Sequence, residues 1–145
     1  MAEELGADGT MIIPPFYSTP TWDELIHHFR CIGEAATRPI MIYNNPVDYG
    51  IEVTMDMFED LLNDCPNIQA VKESTRDISN VIRMRNRFKN RFAILCGVDT
   101  LALESILMGA DGWVPGLVCA FPAETVAICN LAKVVKIKEA KEIYQ

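Results

Sequence analysis

Short apolar runs alternate with longer segments of helical periodicity along the whole chain, and no other feature constrains the fold as strongly. Each run is too short for a helix and is apolar at both odd and even positions, as in parallel strands that are buried on both faces. The pattern therefore predicts βα repeats around a parallel sheet. The predicted strands are residues 9–14, 39–44, 68–73, 92–97 and 112–116.

The segments between these runs carry helix start signals. Thr21 and Glu24 fit a capping box, and Thr54 and Asp77 are suited to cap the next two helices. Asp99 is predicted to cap a fourth helix. The predicted helices are one that follows Thr21 and then residues 55–63, 78–88, 101–108, 122–134 and 136–144, while residues 1–5 are expected to end an earlier helix.

Five βα units are predicted in 145 residues, and two architectures contain such repeats. An open doubly wound sheet that binds a nucleotide needs a glycine-rich phosphate loop at its first turn, and neither GxGxxG nor GxxxxGK(S/T) occurs in the chain. The other architecture is the (β/α)8 or TIM barrel, which usually takes about 250 residues. We therefore expect a partial TIM barrel that forms a single domain over residues 1–145.

Composition excludes several classes of function. The net charge is -7 without a basic cluster, so nucleic acid is not expected as a partner. No apolar stretch approaches the roughly 18 to 20 residues that span a bilayer, and the N-terminus lacks a signal-peptide pattern, so a soluble cytoplasmic protein is expected. The five cysteines form no CxxC pair, and the adjacent His27 and His28 diverge on a helix, so no disulfide framework or metal site is expected.

Lys72 occupies the carboxyl end of the third predicted strand, the edge at which parallel α/β folds carry function. It shares strand parity with Ile68 and Ala70, so a lumen-facing position would carry its amine into a poorly hydrated pocket. Desolvation disfavours the ammonium form, and a free amine can attack a carbonyl or cyclic imine to give a Schiff base. The alternative is a lysine at a strand mouth that extends to water and catalyses nothing.

Two tyrosines end neighbouring predicted strands at the same level. Tyr43 ends the second strand, where its phenol is placed to relay protons to and from an adduct on Lys72. Tyr17 follows the first strand and is a candidate to extend this relay. Taken singly, each tyrosine could instead be an amphipathic residue at a barrel rim. Three such groups at one layer favour the catalytic interpretation.

Further candidates follow the last two predicted strands. Gly97 and Gly116 either let the backbone approach a ligand or serve only a turn, and Val114 is placed to pack against the apolar end of a ligand. Glu73 lies on the opposite strand parity from Lys72 and is excluded from the candidate site.

Four segments together resemble the dihydrodipicolinate synthase and N-acetylneuraminate lyase family of class I Schiff-base lyases. They are PPFY at residues 14–17, YNNP at 43–46, VKES at 71–74, and CGVD followed by LMGADGWVPG within 96–116. The resemblance implies an eight-stranded βα barrel whose first three strands have no counterpart in residues 1–145, so the chain is expected to supply the C-terminal five units.

The resemblance also implies roles for individual residues. Lys72 would form the Schiff base, and Tyr43 would be the proton-transfer residue. Tyr17 would complete a proton relay across a tight subunit interface, so a homo-oligomer is expected. Gly97 and Val114 would line the pocket of the bound keto acid. No metal or organic cofactor is implied, because the protein amine supplies its own electron sink.

One position departs from the family pattern. Synthases of the family usually carry an Arg two residues after the YNxP proline, placed to bind the carboxylate of the aldehyde substrate, whereas this chain has Asp48. An acid at this position would repel that substrate, so synthase activity is disfavoured.

Within the family, the run YNNPVDYGIEVT and the stretch from CGVD to GLVCAFP are most similar to the 1-pyrroline-4-hydroxy-2-carboxylate deaminases of hydroxyproline breakdown. This likeness implies that Lys72 attacks C2 of the cyclic imine, and that ring opening with loss of water and ammonia gives 2,5-dioxopentanoate. The alternatives are a 2-keto-3-deoxy sugar acid aldolase, a dihydrodipicolinate synthase, and a truncated fragment without catalytic activity.

Overall fold

The computed structural model describes residues 2–145, which form two compact units, the first ending at Thr75 and the second covering Arg76–Gln145. The first unit contains strands β1 (Thr10–Ile12), β2 (Ile40–Asn44) and β3 (Ile68–Glu73) and helices α1 (Trp22–Ala35), α2 (Pro46–Tyr49) and α3 (Met55–Asp64). The second contains strands β4 (Ala93–Cys96) and β5 (Gly112–Trp113) and helices α4 (Ile78–Phe88), α5 (Ala102–Leu107), α6 (Pro122–Lys133) and α7 (Ile137–Tyr144). Two 3-10 helices, Asp99–Leu101 and Leu117–Cys119, also lie in the second unit.

The three strands of the first unit are parallel, with β2 between β1 and β3. The register places Ile42 opposite Val71 and Tyr43 opposite Lys72. Burial alternates along β2, where Ile40, Ile42 and Asn44 are buried and the residues between them are half-buried. Because side chains alternate between the two faces of a strand, Tyr43 and its partner Lys72 lie on one face and the buried residues Ile42 and Asn44 on the other.

The core of the first unit is built by the apolar stripes of α1 and α3. Helix α1 begins with a complete capping box, in which the Thr21 hydroxyl accepts from the Glu24 N–H and the Glu24 carboxylate accepts from the Thr21 N–H. The stripe of α1 buries Phe29, and that of α3 buries Phe58 and Leu61. Full burial of such a side chain contributes roughly 1.5 to 3 kcal/mol, so these helices are held mainly by packing.

In the second unit, β4 and β5 are parallel, with Leu95 opposite Gly112 and Cys96 opposite Trp113. Arg85 of α4 fixes the turn that leads into β5, because its guanidinium donates to the Gly109 carbonyl at 2.8 and 3.0 Å and to the Asp111 carboxylate. Gly109 has a φ of +108°, which disfavours residues with a side chain.

The predicted elements are found in the predicted order, with three differences. The strands are shorter than predicted at their carboxyl ends, apart from β2 and β3. Residues 2–6 form turns, with Leu5 N–H bonded to the Ala2 carbonyl, and not the end of a helix, while Met1 lies outside the described residues. Helix α2 was not predicted.

Asp99 does not cap a helix, contrary to the prediction from sequence. It begins a 3-10 helix that has no side-chain cap, and its carboxylate accepts from Trp113 Nε1 and from the N–H groups of Gly116 and Leu117. The carboxylate is therefore committed to the loop that follows β5, where it satisfies backbone donors that strand pairing leaves free.

No helix within residues 2–145 is both long enough and apolar enough to cross a membrane.

Tyr144 ties the last helix of the second unit to the segment that follows β4, which gives a test of this packing. Its hydroxyl donates to the Asp99 carbonyl at 2.7 Å and accepts from the Ala102 N–H at 3.0 Å. We expect Tyr144→Phe to lower the free energy of unfolding at neutral pH by about 1 to 3 kcal/mol, because both backbone groups lose their partner. Urea unfolding measures this change, with the exposed Tyr17→Phe as the matched control.

Alkaline pH gives an independent check on the same contact. Burial raises the pKa of the Tyr144 hydroxyl above its ordinary value of 10.0. A raised folded-state pKa means that the contribution of the neutral hydroxyl is fully present below the unfolded value and is lost as pH rises through the folded one. The difference in stability between wild type and Tyr144→Phe should therefore shrink above about pH 10. A constant difference across this range would contradict the assignment.

Candidate active site

Lys72 and Tyr43 lie side by side at the carboxyl ends of β3 and β2. They are directly opposite each other in the parallel register, and the Lys72 Nζ is 4.1 Å from the centroid of the Tyr43 ring. Both side chains are half-buried. As predicted, these two residues therefore lie at the same level of the sheet.

The amine of Lys72 lies over the face of the Tyr43 ring. A cation in this position is attracted by the ring, and such contacts are worth about 0.5 to 2 kcal/mol depending on exposure. The contact uses the face of the Tyr43 ring and not its hydroxyl, so it does not occupy the phenolic proton. The pair can thus offer a nucleophile and a proton donor to one carbonyl.

The Tyr43 hydroxyl is held by the loop that follows its own strand. Asn45 Nδ2 donates to the phenolic oxygen at 3.0 Å and to Asp48 Oδ2 at 2.8 Å. Asn45 also caps α2, because its Oδ1 accepts from the Asp48 N–H at 3.4 Å. Asn45 is only 3% exposed, and Pro46 occupies the first turn of α2.

A series of aromatic rings leads from Tyr43 to the surface of the first unit. The ring of Tyr49 meets that of Tyr43 edge-on at 5.7 Å between centroids, and Phe16 lies 5.3 Å from Tyr49. Tyr17 stacks on Phe16 at 4.4 Å and is 95% exposed. Within this unit Tyr17 is therefore separated from Tyr43 by two rings, and its predicted part in a proton relay stays a prediction.

Behind the pair, the opposite face of the strands carries a buried polar contact. Asn44 Nδ2 donates to Glu73 Oε2 at 3.2 Å, and Asn44 Oδ1 accepts from the Val53 N–H at 3.0 Å. The other oxygen of Glu73 accepts from the Thr75 N–H. Glu73 is 4% exposed and faces away from Lys72, as expected from its parity.

The substrate-binding candidates of the second unit also come together. The Val114 N–H donates to the Cys96 carbonyl at 2.8 Å, so Val114 and Gly97 both follow paired residues at the carboxyl ends of β5 and β4. Both are half-buried. The Gly116 N–H donates to Asp99 Oδ1 at 3.1 Å, and a Cβ at this position would lie 3.2 Å from Asp99 Oδ2. Whether Gly97 and Val114 bind a ligand stays a prediction.

Sequence reasoning missed Asn45, Asp48 and Tyr49 as neighbours of the lysine and tyrosine pair. A signal for the short helix was present, because Asn is a favoured N-cap and Pro is favoured at the next position. Its contact with the phenol was not readable, because it depends on how the loop folds back over the strand end. Among residues 2–145, no three His, Cys, Asp or Glu side chains are grouped as metal ligands.

Solved structures of similar fold include dihydrodipicolinate synthases. The chain matches the synthase from Aquifex aeolicus with a TM-score of 0.94 and 32% identity, over 99% of this chain and 49% of that one. It matches the 4-hydroxy-tetrahydrodipicolinate synthase of Methylacidiphilum fumariolicum SolV with a TM-score of 0.95 and 30% identity, over 99% and 48%. These matches confirm the predicted fold class, five parallel βα units of a partial TIM barrel.

The curated relatives in sequence include 4-hydroxy-tetrahydrodipicolinate synthases. The 4-hydroxy-tetrahydrodipicolinate synthase of Persephonella marina is 32% identical over 143 residues, which are 99% of this chain and 49% of the relative. That of Desulforamulus reducens is 40% identical over 111 residues, or 77% and 38%. The chain spans about half the length, or less, of these curated relatives.

The fold and the lysine beside a phenol thus define a protein built from TIM-barrel βα units with a candidate amine nucleophile. The pattern that describes the dihydrodipicolinate synthetase family matches residues 1–145, and the chain belongs to that family. This is a family of enzymes. The finer likeness to the deaminases is not shown by these relatives and stays a prediction.

The buried contact behind the site predicts a large stability effect. Asn44→Ala removes the amide from Glu73 and leaves the Val53 N–H without its acceptor. Burying unpaired groups of this kind costs roughly 2 to 4 kcal/mol, because each loses its hydrogen bond without gaining water. Urea unfolding should show this loss, and Gln69→Ala, which changes an exposed residue of the neighbouring strand β3, is the control. Equal stability of the two variants would contradict the assigned contacts.

Proposed function

We propose that Lys72 is the Schiff-base nucleophile and Tyr43 the proton-transfer residue of a lyase that acts on a 2-keto acid or a cyclic imino acid. The observation that carries the proposal is the in-register pair, with the Lys72 nitrogen 4.1 Å from the centroid of the Tyr43 ring. Family membership supports it, because the chain belongs to a family of enzymes that includes the synthases.

The chemistry begins with a neutral Lys72 amine. Its lone pair attacks the carbonyl carbon, and the carbonyl oxygen takes up a proton from the Tyr43 hydroxyl to give a carbinolamine. Loss of that oxygen as water forms the protonated imine, which withdraws electrons from the neighbouring carbon. A bond to that carbon can then break to give an enamine, while Tyr43 exchanges protons with the reacting atoms.

For the substrate we propose 1-pyrroline-4-hydroxy-2-carboxylate. Attack at C2 followed by opening of the ring would leave the substrate as an enamine on Lys72, with its former ring nitrogen as an amine. Loss of the 4-hydroxyl as water would create a C3–C4 double bond, and proton transfers that move this unsaturation to C5 would convert the amine into an imine. Hydrolysis of this imine and of the Lys72 imine would then give ammonia, 2,5-dioxopentanoate and the free lysine. The net reaction consumes one water and releases one ammonia. Support for this substrate comes only from the likeness of the sequence runs.

The synthase is the second candidate, and the names of the relatives favour it. Asp48 weighs against it. The carboxylate lies next to Asn45, two residues after the proline, at the position where the sequence resemblance implies a cation for the aldehyde carboxylate. Like charges repel, so we expect Asp48 to disfavour a second carboxylate-bearing substrate. A 2-keto-3-deoxy sugar acid aldolase would use the same lysine and tyrosine.

Two further parts of the proposal concern the whole protein. Because the chain spans about half of its relatives, a fragment without activity stays an alternative. We also propose that the exposed Tyr17 completes its relay in a homo-oligomer, since 95% exposure leaves its ring open to another subunit. Gly97 and Val114 are the proposed substrate contacts of the second unit.

Trapping the adduct tests the lysine. Incubation of the protein with pyruvate or the cyclic imine, followed by borohydride reduction, should fix the substrate to Lys72, because reduction makes the imine bond permanent. Mass spectrometry of the peptide that contains Lys72 reads the result. Lys72→Met should abolish the adduct, whereas Lys138→Met, a substitution of an exposed lysine on α7, should not. Adduct on other lysines, or no adduct at all in folded protein, would contradict the proposal.

Product analysis distinguishes the substrates. With 1-pyrroline-4-hydroxy-2-carboxylate as substrate, we expect the protein to release ammonia and no pyruvate. A coupled enzyme assay measures the ammonia. With a 2-keto-3-deoxy sugar acid, pyruvate without ammonia would instead identify the aldolase. Condensation of pyruvate with aspartate semialdehyde would identify the synthase. We expect this last reaction to be weak in wild type and to rise at least about 10-fold in Asp48→Arg, since opposite charges at contact gain over one kcal/mol.

A further inference from the structure

We infer that Asn45 is a positioning residue that directs the proton of the Tyr43 hydroxyl toward the reacting atoms. The inference rests on the proposed function of Lys72 and Tyr43, and it assigns a role to a residue that the sequence did not mark. It follows from three hydrogen bonds of a single side chain.

The orientation of the Asn45 amide is determined by its neighbours. Its oxygen faces the Asp48 N–H, which can only donate, and its nitrogen faces the Asp48 carboxylate, which accepts when ionised. A flipped amide would lose both contacts. The second hydrogen of Nδ2 therefore has to be the one that reaches the Tyr43 oxygen at 3.0 Å.

This bond determines what the phenol can do. A tyrosine hydroxyl has one proton and accepts through its oxygen lone pairs. Because Asn45 donates to the oxygen, the phenolic proton cannot point at Asn45 and is left for another acceptor. The ring cannot swing away easily, since Tyr49 packs edge-on against it and the Lys72 nitrogen lies over its face. The acceptor side of Tyr43 is thus occupied while its donor side stays open.

The capping role of Asn45 and its role toward Tyr43 use different atoms. The cap needs only the oxygen, whereas the contact with the phenol needs the amide nitrogen. Aspartate and serine are both good N-caps, and neither has an amide group in its side chain. Asn45→Asp and Asn45→Ser should therefore keep α2 and remove the bond to Tyr43. Serine also avoids placing a second carboxylate beside Asp48.

Two readouts on the full protein separate positioning from a general structural effect. Borohydride trapping with pyruvate reports formation of the Schiff base on Lys72. Exchange of the pyruvate methyl hydrogens with deuterium oxide, followed by NMR, reports proton transfer through the enamine. After incubation to equilibrium, we expect both Asn45 variants to trap wild-type amounts of adduct, because a proton donor changes the rate of adduct formation and not its equilibrium amount. We expect the variants to exchange about 10-fold or more slowly, since positioned proton donors contribute about 10²- to 10⁴-fold. Asn130→Ser, which changes an exposed asparagine of α6, should change neither readout.

The outcomes can be told apart. Unchanged exchange in both Asn45 variants would overturn the inference and leave the proposed function standing. An equilibrium amount of adduct that falls together with the exchange rate would also overturn it, because Asn45 would then only shape the site. If Asn45→Asp fails to fold, as judged by urea unfolding, Asn45→Ser decides. A wild-type protein that forms no adduct with a keto acid or the cyclic imine would refute the proposed function itself.

Discussion

The parallel register between β2 and β3 is the constraint on which the candidate site depends. Ile42 and Val71 are opposite each other and fully buried, and the next pair along the strands is Tyr43 and Lys72. Because side chains alternate across a strand, a slip of one residue would bury the lysine and expose the apolar pair. Burial of the two aliphatic side chains therefore stabilises the only register in which the amine meets the phenol.

The buried face adds a polar contact that continues this register by one residue. Asn44 and Glu73 are the next opposed pair, and they are joined by a hydrogen bond while Asn44 also receives the Val53 N–H. A carboxylate that is 4% exposed is tolerated because each of its oxygens accepts a hydrogen bond. The ends of both strands are thus fixed from behind, which limits the motion of the lysine and tyrosine on the other face.

Cap signals and the common level of strand ends were readable from the sequence, and contacts made by loop residues were not. The caps at Thr21, Thr54 and Asp77 were predicted because a cap involves residues only two or three positions apart. Asp99 was misassigned because its actual partners are 14 to 18 residues away and are brought to it by strand pairing. The level of Lys72 and Tyr43 could be predicted, because parallel strand ends share an edge. The contact of Asn45 with the phenol could not, because it depends on the conformation of the loop after β2.

Strand register and loop chemistry have different consequences for this site. The register brings together an amine and a phenol, which are the groups that any Schiff-base substrate would require. The loop after β2 holds the phenol in place, because the amide nitrogen of Asn45 donates both to the phenolic oxygen and to the Asp48 carboxylate. A substrate group that drew Asp48 away would release one hydrogen of that amide and loosen its hold on Tyr43. In the proposed mechanism, choice of substrate and proton transfer would therefore be coupled by a single side chain, and a change at position 48 would act on both.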